Sequence, residues 1–123
     1  MNEIIKNYEA AGAVSAYRFA KYGANAGEVD EAAAATDPII GVTDSLGATA
    51  QGDRIDVIHF GWAEIELGGS VTQGDLLTAN ASGQAVAAAP AAGVNSRVGA
   101  MALASGVAGD IIPVLVLPQQ IQG

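Results

Sequence analysis

The stretch RIDVIHFGWAEIEL, residues 54–67, decides the fold class. Its second half alternates cleanly: Ala63, Ile65 and Leu67 project to one side of an extended chain, Trp62, Glu64 and Glu66 to the other. A period of two residues is the mark of a strand with one buried and one wet face. The first half carries Ile55, Val57 and His59 on one side, so strands are expected over residues 54–60 and 62–67 with Gly61 between them.

Outward from this stretch, short apolar runs recur between Gly, Asn, Asp and Ser, with a turn signal about every 8 to 12 residues. The further strands expected are residues 39–43, 76–79, 85–88, 97–104 and 111–117. About seven short strands suit a small barrel or sandwich, so the chain reads as mainly β. The dipeptide Gly-Asp comes three times, as Gly52-Asp53, Gly74-Asp75 and Gly109-Asp110, each just before an apolar run. Glycine supplies a positive φ without steric cost and aspartate bonds nearby amides, so these read as structural turns rather than ligand sites. The last strand is apolar on both faces, which predicts burial on both sides. Its Pro113 cannot donate to a ladder and is expected beside a bulge or at an unpaired edge. Residues 86–95 (VAAAPAAGVN) read as a loop.

The first 36 residues read two ways. Ile4, Tyr8, Ala11, Ser15, Arg18 and Tyr22 fall at helical spacing, yet residues 15–22 also alternate as a strand with Tyr17 and Phe19 on one face. The preferred division is an extended N-terminal arm over residues 1–12 followed by a single β-rich domain over 13–123. Glu28 to Ala35 (EVDEAAAA) is expected to form one short helix, its acids favourably placed in the first turn.

Composition bounds the rest. Among 123 residues there are 26 alanines and 16 glycines but only two Phe, one Trp and three Tyr, so bulky apolar side chains are few. A core this light makes partners or self-association an expectation. The net charge of −8 argues against nucleic acid and against an anionic membrane surface. No apolar run approaches the roughly 20 residues of a spanning helix, and the first residues lack the apolar stretch of a secretory signal. With no cysteine there is no disulfide, thiol nucleophile or thiolate metal site.

Enzyme readings lack parts. His59 is the only histidine, and a triad around it would need Asp56 or Glu64 and a presented serine, but no Gly-x-Ser-x-Gly elbow exists. No phosphate-cradling glycine loop occurs. The acids Glu28, Asp30 and Glu31 read as a wet surface. The chain is therefore expected to be no enzyme and to hold no cofactor and no metal. Trp62, on the face of Glu64 and Glu66, reads either as an interface anchor or as a side chain packed under residues 15–22 or a loop.

The order of the blocks SAYRFAKYG, then DPIIGVTDSLGATAQGDRIDVIHFGWAEIELGGSVTQGDLLTANASGQAVAA, then RVGAMALASGVAGDIIPVLVLP resembles the capsid cement or decoration proteins of tailed phages, the head-stabilising proteins. The matching positions are Ile40, Gly41 and Val42; Gly52 and Asp53; Gly74, Asp75 and Leu76; Gly83; Val98, Gly99, Ala100, Ala102 and Leu103; and Gly109, Asp110, Ile112 and Val114. The resemblance implies a small β-barrel or β-tulip domain, usually a homotrimer, made in the host cytoplasm. It would sit on the outer capsid surface of the virion, bound to the major capsid protein. Its role would be mechanical, three linked weak contacts gaining strength through effective concentration. On that reading the arm would add a strand to the capsid protein, with Ile4, Ile5 and Tyr8 filling pockets. Tyr17, Phe19 and Trp62 are then the candidate trimer anchors, and Ala100, Ala102 and Ala104 would let subunits approach closely. The competing readings are a β-clip-like ligand-binding or accessory subunit domain, with a concave pocket of Trp62, Glu64 and Glu66 near His59, and a polymerising shell or tail component.

Overall fold

The computed structural model describes residues 4–89, 92–93 and 95–122, and every regular element among them is a strand. In chain order these are β1 (Ile4–Ala10), β2 (Phe19–Tyr22), β3 (Glu28–Glu31), β4 (Gly41–Thr43), β5 (Arg54–Glu66), β6 (Leu76–Ala79), β7 (Ala85–Ala87), β8 (Asn95–Ala102) and β9 (Ile111–Gln122). The neighbour order is β1-β3-β2-β4-β5-β9-β8-β6-β7, with β1 also paired to β5. That extra pairing closes β1, β3, β2, β4 and β5 into a five-stranded barrel. The remaining strands continue from β5 as a curled sheet, which bends until Ala85 of β7 meets Leu67, just beyond β5, in an isolated parallel bridge.

The two strands expected on either side of Gly61 are one strand of 13 residues, β5, which serves both halves of the molecule. Opposite β1 the register slips: Ile5 pairs with Ile58 but Ile4 pairs with Phe60, so one residue of β5 is extra at His59. Two residues on, Gly61 is buried at φ 108. A one-residue bulge reverses which side chains face which way. Ile55 and Val57 accordingly fill the closed barrel, and Ile58 packs against the other core. Beyond the bulge Ala63 and Ile65 face that second core.

The barrel interior holds Tyr8, Ala10, Val14, Ala20, Val29, Ile55 and Val57. The larger core lies under the curled sheet, where Ile65, Leu67, Leu77, Ile112, Val114 and Val116 meet Phe19, Ile39 and Val42 from the outer side of the barrel. Phe19 packs directly on the backbone of β8: a Cβ added at Gly99 would come within 2.5 Å of its ring. Gly41 is equally constrained, since a side chain there would strike the Ile58 carbonyl of β5.

Several expectations are corrected. Residues 28–35 form no helix; their first four are β3, in which Val29 is buried and which pairs parallel with β1 and antiparallel with β2. Barrel closure thus overrides the alanine-rich helix propensity of this segment. The N-terminal arm is no separate body over its described part, because β1 pairs along its length with β5 and closes the barrel; residues 1–3 of that arm lie outside the described residues. Residues 15–18 are not strand. Tyr17 sits at φ 58, the left-handed region, and this break sends Phe19 into the core rather than alongside Tyr17. β9 is buried on one face only: Ile112, Val114 and Val116 are covered while Ile111 is exposed and Leu115 and Leu117 are half-buried. The β8 to β9 ladder ends at Ala102 and Val114: at the next pair Leu103 N–H donates to the Pro113 carbonyl, and the proline has no N–H to return, so the pairing stops there. Of the loop expected at 86–95, residues 86 and 87 belong to β7, and 90, 91 and 94 lie outside the described residues.

Candidate functional site

The three Gly-Asp turns share one geometry. In each, the amide of the aspartate donates to the carbonyl three residues back, Asp53 to Ala50, Asp75 to Thr72 and Asp110 to Val107. Each aspartate Oδ2 in turn accepts the amide of that same residue, at 3.0 to 3.1 Å. The glycines at the third position have φ between 90 and 94, the left-handed requirement of a type II turn. Asp53 also takes the Thr49 hydroxyl and amide, and these bonds hold its carboxyl below the usual carboxylate range. Among the described residues no three His, Cys, Asp or Glu side chains gather as metal ligands.

His59 is occupied structurally. Its Nδ1 lies 2.8 Å from the Ile40 carbonyl and its Nε2 2.7 Å from the Tyr8 hydroxyl. A carbonyl only accepts, so Nδ1 carries the proton and Nε2 accepts from the tyrosine. Tyr8 is buried inside the barrel, stacked edge-on against Tyr22, and its phenol is pushed up to about 12, first by burial and then by the Tyr22 hydroxyl. Tyr8 is therefore a core residue and does not project towards a partner; its neighbours Ile4 and Ile5 do project, each more than half exposed. Ile4 stands opposite Phe60, which is also exposed, so an apolar strip runs over the outer face of the barrel.

A second surface lies on the outer face of the curled sheet. Trp62 of β5 pairs with Leu115 of β9, Leu115 with Met101 of β8, and Met101 with Leu76 of β6, which aligns four apolar side chains across four strands. Trp62 is 42% exposed and the other three are half-buried. Of the expected trimer anchors, Phe19 is fully buried and unavailable, whereas Tyr17 and Trp62 reach the surface. Ala100 and Ala102 are inside the larger core and Ala104 packs against it, so they space strands within one chain rather than subunits.

Tyr17 and Trp62 line one groove of about 360 Å³, with Thr43, Asp44, Ile58 and Glu64 among its walls. Tyr17 is pinned there by its backbone: its amide donates to the Asp44 carbonyl and its carbonyl accepts from Glu66. A non-glycine residue at φ 58 costs about 1 to 2 kcal/mol, and these two bonds hold it. The pocket expected around Trp62, Glu64, Glu66 and His59 is thus assembled differently. Glu66 turns away to Arg18, 3.3 Å, and to Gln84, and His59 is held by Tyr8. Asp44 and Tyr17 take their places. Tyr17 was expected at an interface as an aromatic of a strand face, but nothing local in the sequence announces the left-handed backbone that brings it into this groove.

No protein-family model and no curated protein matches the sequence. The fold has a solved counterpart. The chain superposes with a TM-score of 0.70 on the N base of the head fibre gp8.5 of bacteriophage phi29, known from its crystal structure, at 21% sequence identity. The match covers 94% of this chain and 95% of that one, so the five-stranded barrel with its curled extension is an architecture that both chains share from end to end.

Proposed function

We propose that this protein is a structural component of a phage virion, bound to the outer surface of the icosahedral capsid, which it stabilises, and without enzymatic activity. The observation that carries the reading is the match of nearly the whole chain to the base of a phage head fibre. The resemblance of its ordered Gly-Asp motifs to capsid decoration proteins points the same way. The chemistry of the described residues is compatible: both nitrogens of the one histidine serve the fold, and the three repeated aspartates are consumed in turns. In this proposal the chain acts as a homotrimer, made in the host cytoplasm and engaging the major capsid protein. The exposed Ile4 and Ile5 of the barrel and the row headed by Trp62 supply the contacts. Because β1 already pairs with β3 and β5, such contacts are made by side chains and not by donating β1 as a strand.

The test is to mix the purified protein with undecorated expanded capsids of the phage that encodes it. Saturable co-sedimentation and a raised capsid melting temperature are expected. Absence of binding at micromolar concentration refutes the reading, and a monomer by sedimentation equilibrium refutes the trimer.

A further inference from the structure

The Tyr17 and Trp62 groove carries negative charge that no cation of the chain pairs with among the described residues. Asp44 spends one carboxylate oxygen, Oδ1, on the amides of Leu46 and Gly47, while its other oxygen has no partner among the described residues. Glu64, exposed on the same wall, has neither a hydrogen bond nor an ion pair among them. Arg18, the residue after Tyr17, is committed to Glu31 and Glu66, and Lys21 is committed to Asp37. Two unneutralised carboxylates therefore flank two aromatic rings in one concavity, on a chain whose net charge is −8.

Aromatic faces attract cations through the negative face of the ring, and carboxylates attract them by charge. One side chain satisfies both at once. A guanidinium is flat, so it lies against an indole, and its fork of N–H donors reaches carboxylates at its rim while the stack is kept. A lysine ammonium has no plane to stack and stays more strongly hydrated. A divalent ion would waste the rings. A neutral sugar would leave the carboxylates unbalanced.

We infer that this groove receives an arginine side chain presented by a partner protein, stacked on Trp62 and paired with Glu64 and Asp44. The identity of that partner as the capsid protein rests on the function proposed above; the chemistry of the groove does not. Steric cost for the occupant is small, because the groove exists already and its walls are fixed: Thr43 is buried and bonded to Ser15 and Arg18, and Tyr17 is pinned at both ends of its backbone.

The experiment needs no capsid, so its failure and that of the capsid reading are separable. Trp62 is the only tryptophan, and its fluorescence and indole N–H resonance report the groove alone. The isolated protein is titrated at low ionic strength with N-acetyl-arginine amide, with the neutral isostere N-acetyl-citrulline amide, with N-acetyl-lysine amide and with glucose. A saturable change is expected with the arginine probe, with a dissociation constant on the order of millimolar, as a single side chain allows. Lysine should bind more weakly, and citrulline and glucose should give no saturation. Glu64→Gln should weaken the arginine response about fivefold, the worth of one exposed charge pair, and Asp44→Asn less, because its amide-bound oxygen still holds the loop. Both positions lie outside the cores, so folding is preserved, and the near-identical spectrum of Glu64→Gln checks it. An equal response to citrulline, saturation by glucose, or no response to the arginine probe at about 50 mM overturns the inference. So does a Trp62 signal that changes with protein concentration alone and vanishes in Arg54→Gln or Arg97→Gln, since the groove would then be filled by a second copy.

Discussion

The two cores that share β5 are made of different material. The closed barrel has room for one large side chain, Tyr8, and the rest of its filling is small or β-branched: Ala10, Val14, Ala20, Val29, Ile55 and Val57. Its one polar tip is satisfied by His59, which is itself tied to the Ile40 carbonyl. The core beneath the curled sheet is larger and is built from apolar side chains, with Phe19 packed on Gly99. A ring of five strands is closed by hydrogen bonds on every edge and is narrow. An open curled sheet must be held by buried area instead. The contrast teaches that stability should depend on area in one half and on a polar relay in the other.

The largest expected effect tests the area side. Phe19→Ala leaves a cavity where β2 meets β8 and should cost about 3 to 5 kcal/mol in urea unfolding; a loss below 1 kcal/mol would mean the larger core is not held by packing. The polar side gives a smaller effect. Tyr8→Phe keeps the ring but strands the His59 Nε2 and should cost about 1 to 2 kcal/mol, with no comparable loss from Tyr22→Phe, whose ring is exposed.

The same tyrosine sets an alkaline limit. A phenol raised from 10 to about 12 in the fold favours the neutral form, so its contribution is complete below pH 10 and is lost as pH rises from 10 to 12. Absorbance at 295 nm should show a late phenol ionisation near pH 12, and Tyr8→Phe should delete it. A late phase that survives Tyr8→Phe would break the contrast between the cores. At the acid end the sign is opposite. The Ala33 amide, with help from Lys21, holds Asp37 below the usual carboxylate range, so its contribution is present above about pH 4 and disappears as pH falls further. Thermal unfolding of Asp37→Asn should be less sensitive to pH between 5 and 3, by under about 1 kcal/mol. The smallest change is expected outside both cores: Ile4→Ser with Ile5→Ser should leave stability within about 0.5 kcal/mol while weakening the capsid binding proposed above.

Much of the fold was legible. Alternation placed the strands of residues 54–67, and the runs at 76–79 and 85–88 agree with β6 and β7, because half-buried strands write their period directly into the sequence. The closure was not legible, since β1 meets β5 and runs parallel to β3 across long stretches of chain, and no local pattern encodes a distant partner. The acids and alanines of residues 28–35 advertise a helix, and only that distant pairing overrules them. At the groove, Trp62 and Glu64 could be placed on one face from spacing alone. Tyr17 and Asp44 arrive from other segments, one of them through a backbone angle that its own residue type disfavours.

The bulge at His59 has a genetic corollary. A three-nucleotide deletion of one codon at residues 59–61 would keep the reading frame of the gene and shift the reading frame of the strand: with the barrel side unchanged, Ala63 and Ile65 would turn to solvent and Trp62 and Glu64 would turn inward. Most surface positions in such a chain would tolerate the loss of one codon more readily than this one, where the half-buried His59 also holds the Tyr8 hydroxyl. At that point the fold constrains the number of residues as well as their chemistry.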